Sequence, residues 1–126
     1  MKTTVTTKKQ ISRAVEYFRA KLEFETTPHQ LKAEMDKNRV FLLDVRDKES
    51  FNKEHIAGAN NIPMAELPQN YKILLKDKTI VTYCWNITCA LAPKAALELA
   101  EKGFTVQELV GGIDEWKKKG FPVEGK

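Results

Sequence analysis

The chain has 126 residues, 42% hydrophobic and 30% charged, with a formal net charge of +4. That length suits one domain with one core and leaves no room for two. No apolar run approaches the roughly 18–20 residues that cross a bilayer, and the opening MKTTVTTKKQ lacks the apolar centre of a secretory signal, so a cytoplasmic protein without membrane partners is expected.

Much of the positive charge comes from Lys8–Lys9 and Lys117–Lys118–Lys119. These clusters are not interleaved with aromatics and accompany no nucleic-acid-binding motif. They read as solvated helix surface, and nucleic acid is not an expected partner. Two cysteines, Cys84 and Cys89, make no disulfide scaffold and are too few for a cysteine zinc site. His29 and His55 are distant in sequence, and no metal or other cofactor is expected.

Residues 1–7 are Thr-rich and read as a loose tail. From Lys8 to Phe24, apolar residues recur at Ile11, Val15, Phe18 and Leu22, which is one helix face; an amphipathic helix packed on the domain is expected. Thr27–Pro28–His29–Gln30 is a helix start, with Thr27 as cap, Pro28 in the first turn and Gln30 at the capping-box position. That helix should run to about Met35, with His29 on the surface. Val40–Leu43, followed by Asp44, reads as a strand buried on both faces, and Ile80–Tyr83 as a second. Ala90–Lys102 is rich in helix formers and stops at Gly103. Thr105–Leu109 is a third, less buried strand. A last helix covers about Ile113–Lys119 and ends at Gly120. Strand–helix alternation with short connectors implies an α/β domain, a mostly parallel sheet with helices on both faces. Sites in such folds lie at the carboxyl ends of strands, where Cys84 follows Tyr83.

A cysteine between a buried strand and a helix has a physical advantage. Backbone N–H groups of a tight loop and helix start can converge on its sulfur, stabilise a thiolate and cradle a persulfide. The N–H groups of residues 85–90 are expected to point that way. Asn86 is the loop residue best suited to positive φ, and either it takes that conformation or the loop opens wider than in glycine-containing relatives. The competing reading is a buried structural cysteine.

Five segments, in order, resemble the rhodanese-like family: Asp44–Val45–Arg46; Phe51 with His55–Ile56–Ala57–Gly58–Ala59 and Asn61–Ile62–Pro63; Tyr83–Cys84; Gly103–Phe104; and Gly111–Gly112–Ile113 with Trp116, Gly120, Pro122 and Val123. The resemblance spans about residues 28–125. It implies a single domain with a five-stranded parallel sheet flanked by helices, and sulfur transfer through catalytic Cys84. Residues 1–27 are then an N-terminal tail plus the extra amphipathic helix, and 28–126 the domain. Gly58, Gly111 and Gly112 sit where turns need positive φ or close backbone approach. Trp116 reads as a core anchor, and Asp44 and Arg46 as supporting residues with a structural role.

The active loop, Cys84–Trp85–Asn86–Ile87–Thr88–Cys89–Ala90, departs from the family pattern. A basic residue is usual at the sixth position, with glycine inside; here the sixth position is Cys89 and glycine is absent. The loop looks closest to a branch with Cys-Trp-Gly-Pro-x-Cys, Asn86–Ile87 replacing Gly-Pro. No loop cation is available to clamp a sulfonate-like donor, so thiosulfate turnover should be poor unless Lys94 or a backbone nest compensates. Polysulfide or low-molecular-weight persulfides should serve better as donors, with a thiol or protein as acceptor. Cys89 reads either as a second working thiol, able to pair with Cys84, or as a packing residue. Pro93 is comfortable only in a first helical turn, so the helix should begin around Ala90–Ala92, with Cys89 at its rim. Trp85 and Ile87 make the loop apolar; they wall a pocket, or one packs inward. The alternative function is a non-catalytic interaction or redox-switch module using Cys84 and Cys89. A phosphatase or arsenate reductase of related type needs a longer loop closing on Arg, which this loop lacks.

Overall fold

A computed structural model describes residues 7–126; the loose-tail expectation for residues 1–6 lies outside them. Thr7 itself caps the first helix, α1 (Lys8–Phe24), through a capping box with Gln10. The remaining elements are β1 (Glu25–Thr26), α2 (Pro28–Asp36), β2 (Val40–Asp44), α3 (Lys48–Lys53), β3 (His55–Ile56), β4 (Asn60–Asn61), α4 (Leu67–Asn70), β5 (Thr79–Tyr83), α5 (Leu91–Glu101), β6 (Val106–Leu109), α6 (Gly112–Lys118) and β7 (Val123–Glu124). Short 3-10 turns flank α4.

Five strands form one sheet in the order β1-β6-β5-β2-β4, every neighbouring pair parallel. β3 and β7 form a separate antiparallel pair. The apolar runs behave as expected. Side chains alternate between faces along a strand, and both faces of β2 and β5 are covered. Leu43 and Ile80 join Leu67, Ala95 and Leu99 under α4 and α5. Leu42, Val81 and Tyr83 join Leu31, Ile113 and Trp116 under α2 and α6. Trp116 is fully buried, and its indole N–H donates to the Pro122 carbonyl at 2.9 Å. Thr27 and Gln30 form the expected capping box, with Pro28 in the first turn. His29 is exposed, edge-on to Phe121.

Two expectations change. α1 forms over its expected span, yet none of its residues is buried, and Ile11, Val15, Phe18 and Leu22 are exposed, Leu22 at 83%. Its apolar face does not pack on the sheet. Only the last turn is held, where the Gln107 side chain donates to the Glu23 carbonyl at 2.9 Å. The sheet also begins before residue 28. Glu25–Thr26 adds beside β6 as an edge strand, in a segment whose two residues show no strand periodicity.

The chain order reverses between β2 and β5: β2 leads outward to β4, whereas β5 leads through α5 to β6 on the other side. Open parallel sheets build sites outside the carboxyl ends of strands at such a reversal. Residues 44–46 and 83–85 meet there.

Candidate active site

Side chains at 80, 82 and 84 share one face of β5, the face under α5. The Thr82 hydroxyl donates to the Ala92 carbonyl at 2.9 Å, seating the start of α5 over the strand end. Cys84, one step further, is 2% exposed, packs among the α5-side core and lines a small cavity of about 150 Å³. The cavity is walled by Asn86, Ile87 and Cys89 of the loop, by Ala92 and Pro93 of α5, and by residues 109–112. Cys84 is therefore buried but opens onto a void, which a purely structural cysteine does not need.

Cys84 and Cys89 are joined as a disulfide, with Cα atoms 6.5 Å apart. The helix begins where Pro93 requires: Ala90 is the N-cap and Pro93 lies in the first turn of α5. Cys89 thus stands just before the helix, able to reach back.

One of the two expectations for the loop backbone is not met. Asn86 does not adopt positive φ; among non-glycine described residues only Asn38 does. Asn86 instead closes a local turn. Its side-chain oxygen accepts from the Thr88 N–H at 3.1 Å and the Thr88 hydroxyl at 2.8 Å, and its carbonyl accepts from the Cys89 N–H at 3.1 Å. Those two N–H groups are therefore committed to Asn86 and not aimed at the Cys84 sulfur. An asparagine side chain supplies the turn that glycine would otherwise supply through φ.

The other side of the loop is held by α6. The N–H groups of Ile113 and Asp114 donate to the carbonyls of Cys84 and Trp85, each at 3.0 Å. The backbones lie so close that a Cβ on Gly112, whose φ is +59°, would fall 2.5 Å from the Cys84 oxygen. Gly111 and Gly58 also take positive φ, as their positions suggested.

Beneath the loop sits a buried ion pair. Arg46 Nη2 donates to Asp44 Oδ2 at 2.7 Å and to the Glu54 carbonyl at 2.6 Å; Nε bridges both Asp44 oxygens at 3.1 Å. Burial works against the guanidinium charge, but the Asp44 carboxylate outweighs it and holds Arg46 protonated. Asn61 ties the carbonyls of Asp44 and Arg46 together. The guanidinium lies 4.4 Å from the Trp85 ring centre, so Trp85 stacks on the pair and does not line the cavity. Ile87 does line it, though 77% exposed. Tyr83 faces the opposite side and its hydroxyl accepts from the Ile56 N–H at 3.0 Å. Burial, then the Asp44 carboxylate, pushes its phenol far above the usual range.

Thr88 and Ala90 are exposed rims of the loop, and Lys94 is exposed on α5 and is not among the cavity-lining residues. The cation at the cavity is instead Lys21 of α1, accompanied by Glu25 and Glu108. Nothing local marks these three. Lys21 and Glu25 lie far from the motifs, and the pairing of β1 with β6 brings them to Glu108, just before Gly111.

Residues 27–119 match the rhodanese-like domain. An HTH-type transcriptional regulator of Mycobacterium tuberculosis is 38% identical over 98 residues, covering 78% of the chain but only 43% of the regulator. A thiosulfate sulfurtransferase of Coxiella burnetii is 35% identical over 82 residues, 64% of the chain and 75% of that protein. The solved BH2092 protein of Bacillus halodurans superposes with a TM-score of 0.82 at 38% identity, covering 91% of this chain and 86% of the other. With a parallel sheet, a strand-end cysteine and a family match over most of its length, this chain belongs to the rhodanese-like domain family.

Proposed function

We propose that the chain is a sulfurtransferase or persulfide carrier acting through Cys84. The observation that carries this reading is the placement of Cys84 at the end of β5, lining a cavity at the sheet's reversal point. The bonded Cys84–Cys89 pair is the oxidised form, and a thiol reductant must open it before sulfur transfer. The Cys84 thiolate then attacks the outer sulfur of a donor, the donor's S–S bond breaks, and its inner sulfur leaves as a thiolate or sulfite. A thiol acceptor removes the outer sulfur in turn. Without an acceptor, Cys89 discharges the persulfide: its thiolate attacks the Cys84 sulfur, expels hydrogen sulfide and restores the disulfide. No loop cation faces Cys84, so thiosulfate is a weaker donor than polysulfide or small persulfides. The loop resembles the branch with cysteines at both ends, and a cytoplasmic setting supplies the needed reductants.

The test is mass spectrometry of reduced protein after exposure to polysulfide. Wild type should gain one sulfur on Cys84 and Cys84→Ser none, whereas Cys89→Ser should hold the sulfur longer. The disulfide also favours a second reading, a redox-switch module without sulfur transfer. In that case wild type gains no sulfur, while oxidant and reductant interconvert the thiol pair.

A further inference from the structure

Part of the wall of the Cys84 cavity comes from the junction of α1 and β1, with strand β6 beside it. Glu25 and Glu108 are register partners on adjacent parallel strands, and both line the cavity with Lys21. Lys21 Nζ pairs with Glu25 at 2.9 Å. Glu108 has no ion pair of its own among the described residues, and it is partly buried. Burial and the neighbouring Glu25 raise its carboxyl above the ordinary range, with Lys21 opposing. These are the charged groups among the described lining residues: one cation against two carboxylates. A dianion approaching Cys84 meets a wall of its own sign. A ligand cation would complete the half-buried carboxylate, and the cavity has room for only a few heavy atoms.

We propose that Glu108 is the specificity-determining residue of the Cys84 cavity, turning away dianionic sulfur donors and favouring small persulfides that carry a primary ammonium group. This rests on Cys84 being a sulfur acceptor. The ammonium pairs with Glu108 while the Cys84 thiolate attacks the donor's outer sulfur. The S–S bond breaks, the donor's inner sulfur departs as a thiolate with the bonding pair, and Cys84 carries the persulfide with its proton. The step needs no oxidant, only prior opening of the disulfide by a dithiol reductant. Thiosulfate would react in the same sense, releasing sulfite, but must bring two negative charges past Glu25 and Glu108.

The experiment measures initial rates of sulfur loading on the full chain, reduced with a dithiol and desalted, at mildly alkaline pH. Donors are thiosulfate, 2-aminoethyl persulfide and 2-hydroxyethyl persulfide, which has the same length but lacks the ammonium. In wild type the aminoethyl donor should be preferred over thiosulfate. Glu108→Gln should shrink that preference by roughly tenfold, the effect of one charge at a half-buried site, and should lower the aminoethyl rate relative to the hydroxyethyl rate as well. Lys21→Met removes the cation and keeps both carboxylates, so it should enlarge the preference. Wild type and Glu108→Gln loading with the same donor ratio would overturn the assignment while leaving Cys84 a sulfur acceptor. No loading of wild type from any donor would overturn the acceptor reading, and this one with it.

Discussion

Arg46 shows how much of the site depends on one buried charge. Its partner Asp44 is completely buried, and the stacked Trp85 is the first residue of the loop after Cys84. Arg46→Ala should leave the Asp44 carboxylate without its counter-ion and cost about 3–5 kcal/mol, read by urea unfolding. Arg46→Lys keeps charge but loses the planar fork and the flat stacking surface. Its Trp85 fluorescence should shift even where the fold survives. Glu108 gives a pH signature of the opposite kind. Its carboxyl is raised in the fold, so the folded chain binds more protons than the unfolded one above the ordinary Glu range. Its contribution is fully present below that range and is lost as pH rises through the raised folded value. Melting curves of Glu108→Gln should therefore gain on wild type as pH climbs from acid toward neutral; parallel curves would contradict this. Cys84, Asp44 and Arg46 could be read from the sequence, because a motif fixes them within a few residues of a strand end. Lys21 and Glu108 could not, since 87 positions separate them and only strand pairing joins them.

Among the elements, α6 and α2 carry sharp tests. Gly112 has positive φ and lies against the Cys84 and Trp85 backbone. Gly112→Ala should cost at least about 2 kcal/mol and loosen the loop, since both conformation and close approach are lost. Thr27→Ala removes a capping box and should cost about 1 kcal/mol in thermal or urea unfolding. α1 behaves differently. Phe18→Gln or Leu22→Gln should change stability by no more than about 0.5 kcal/mol, because those side chains already face solvent. The helix itself was readable from its period, but periodicity shows only that a face is apolar, not that the fold covers it. The two-residue strands β1, β3, β4 and β7 were unreadable for another reason. Alternation needs about four residues to show, and these strands exist because longer neighbours and turns present free backbone groups to them.

The molecule as a whole should tolerate opening of the disulfide. The bridge closes a loop with a sequence separation of 5, and so short a loop contributes about 2 kcal/mol at most by chain entropy. Two separate cores flank the sheet, and only one includes Cys84. The reduced protein should melt cooperatively at a modestly lower temperature, with far-ultraviolet circular dichroism unchanged. The two arms flanking Cys84 are nevertheless anchored unequally. Upstream and at its own carbonyl, Cys84 is fixed to a strand and to the first turn of α6; downstream, residues 86–89 are held by bonds among themselves and by the bridge. Cutting the bridge therefore frees one arm only. Amide protons of Ile113 and Asp114 should exchange with solvent deuterium equally slowly in both redox forms, while those of Thr88 and Cys89 should exchange faster once the bridge is cut. The nucleophile stays fixed in place, and the segment between the two thiols is the part that moves.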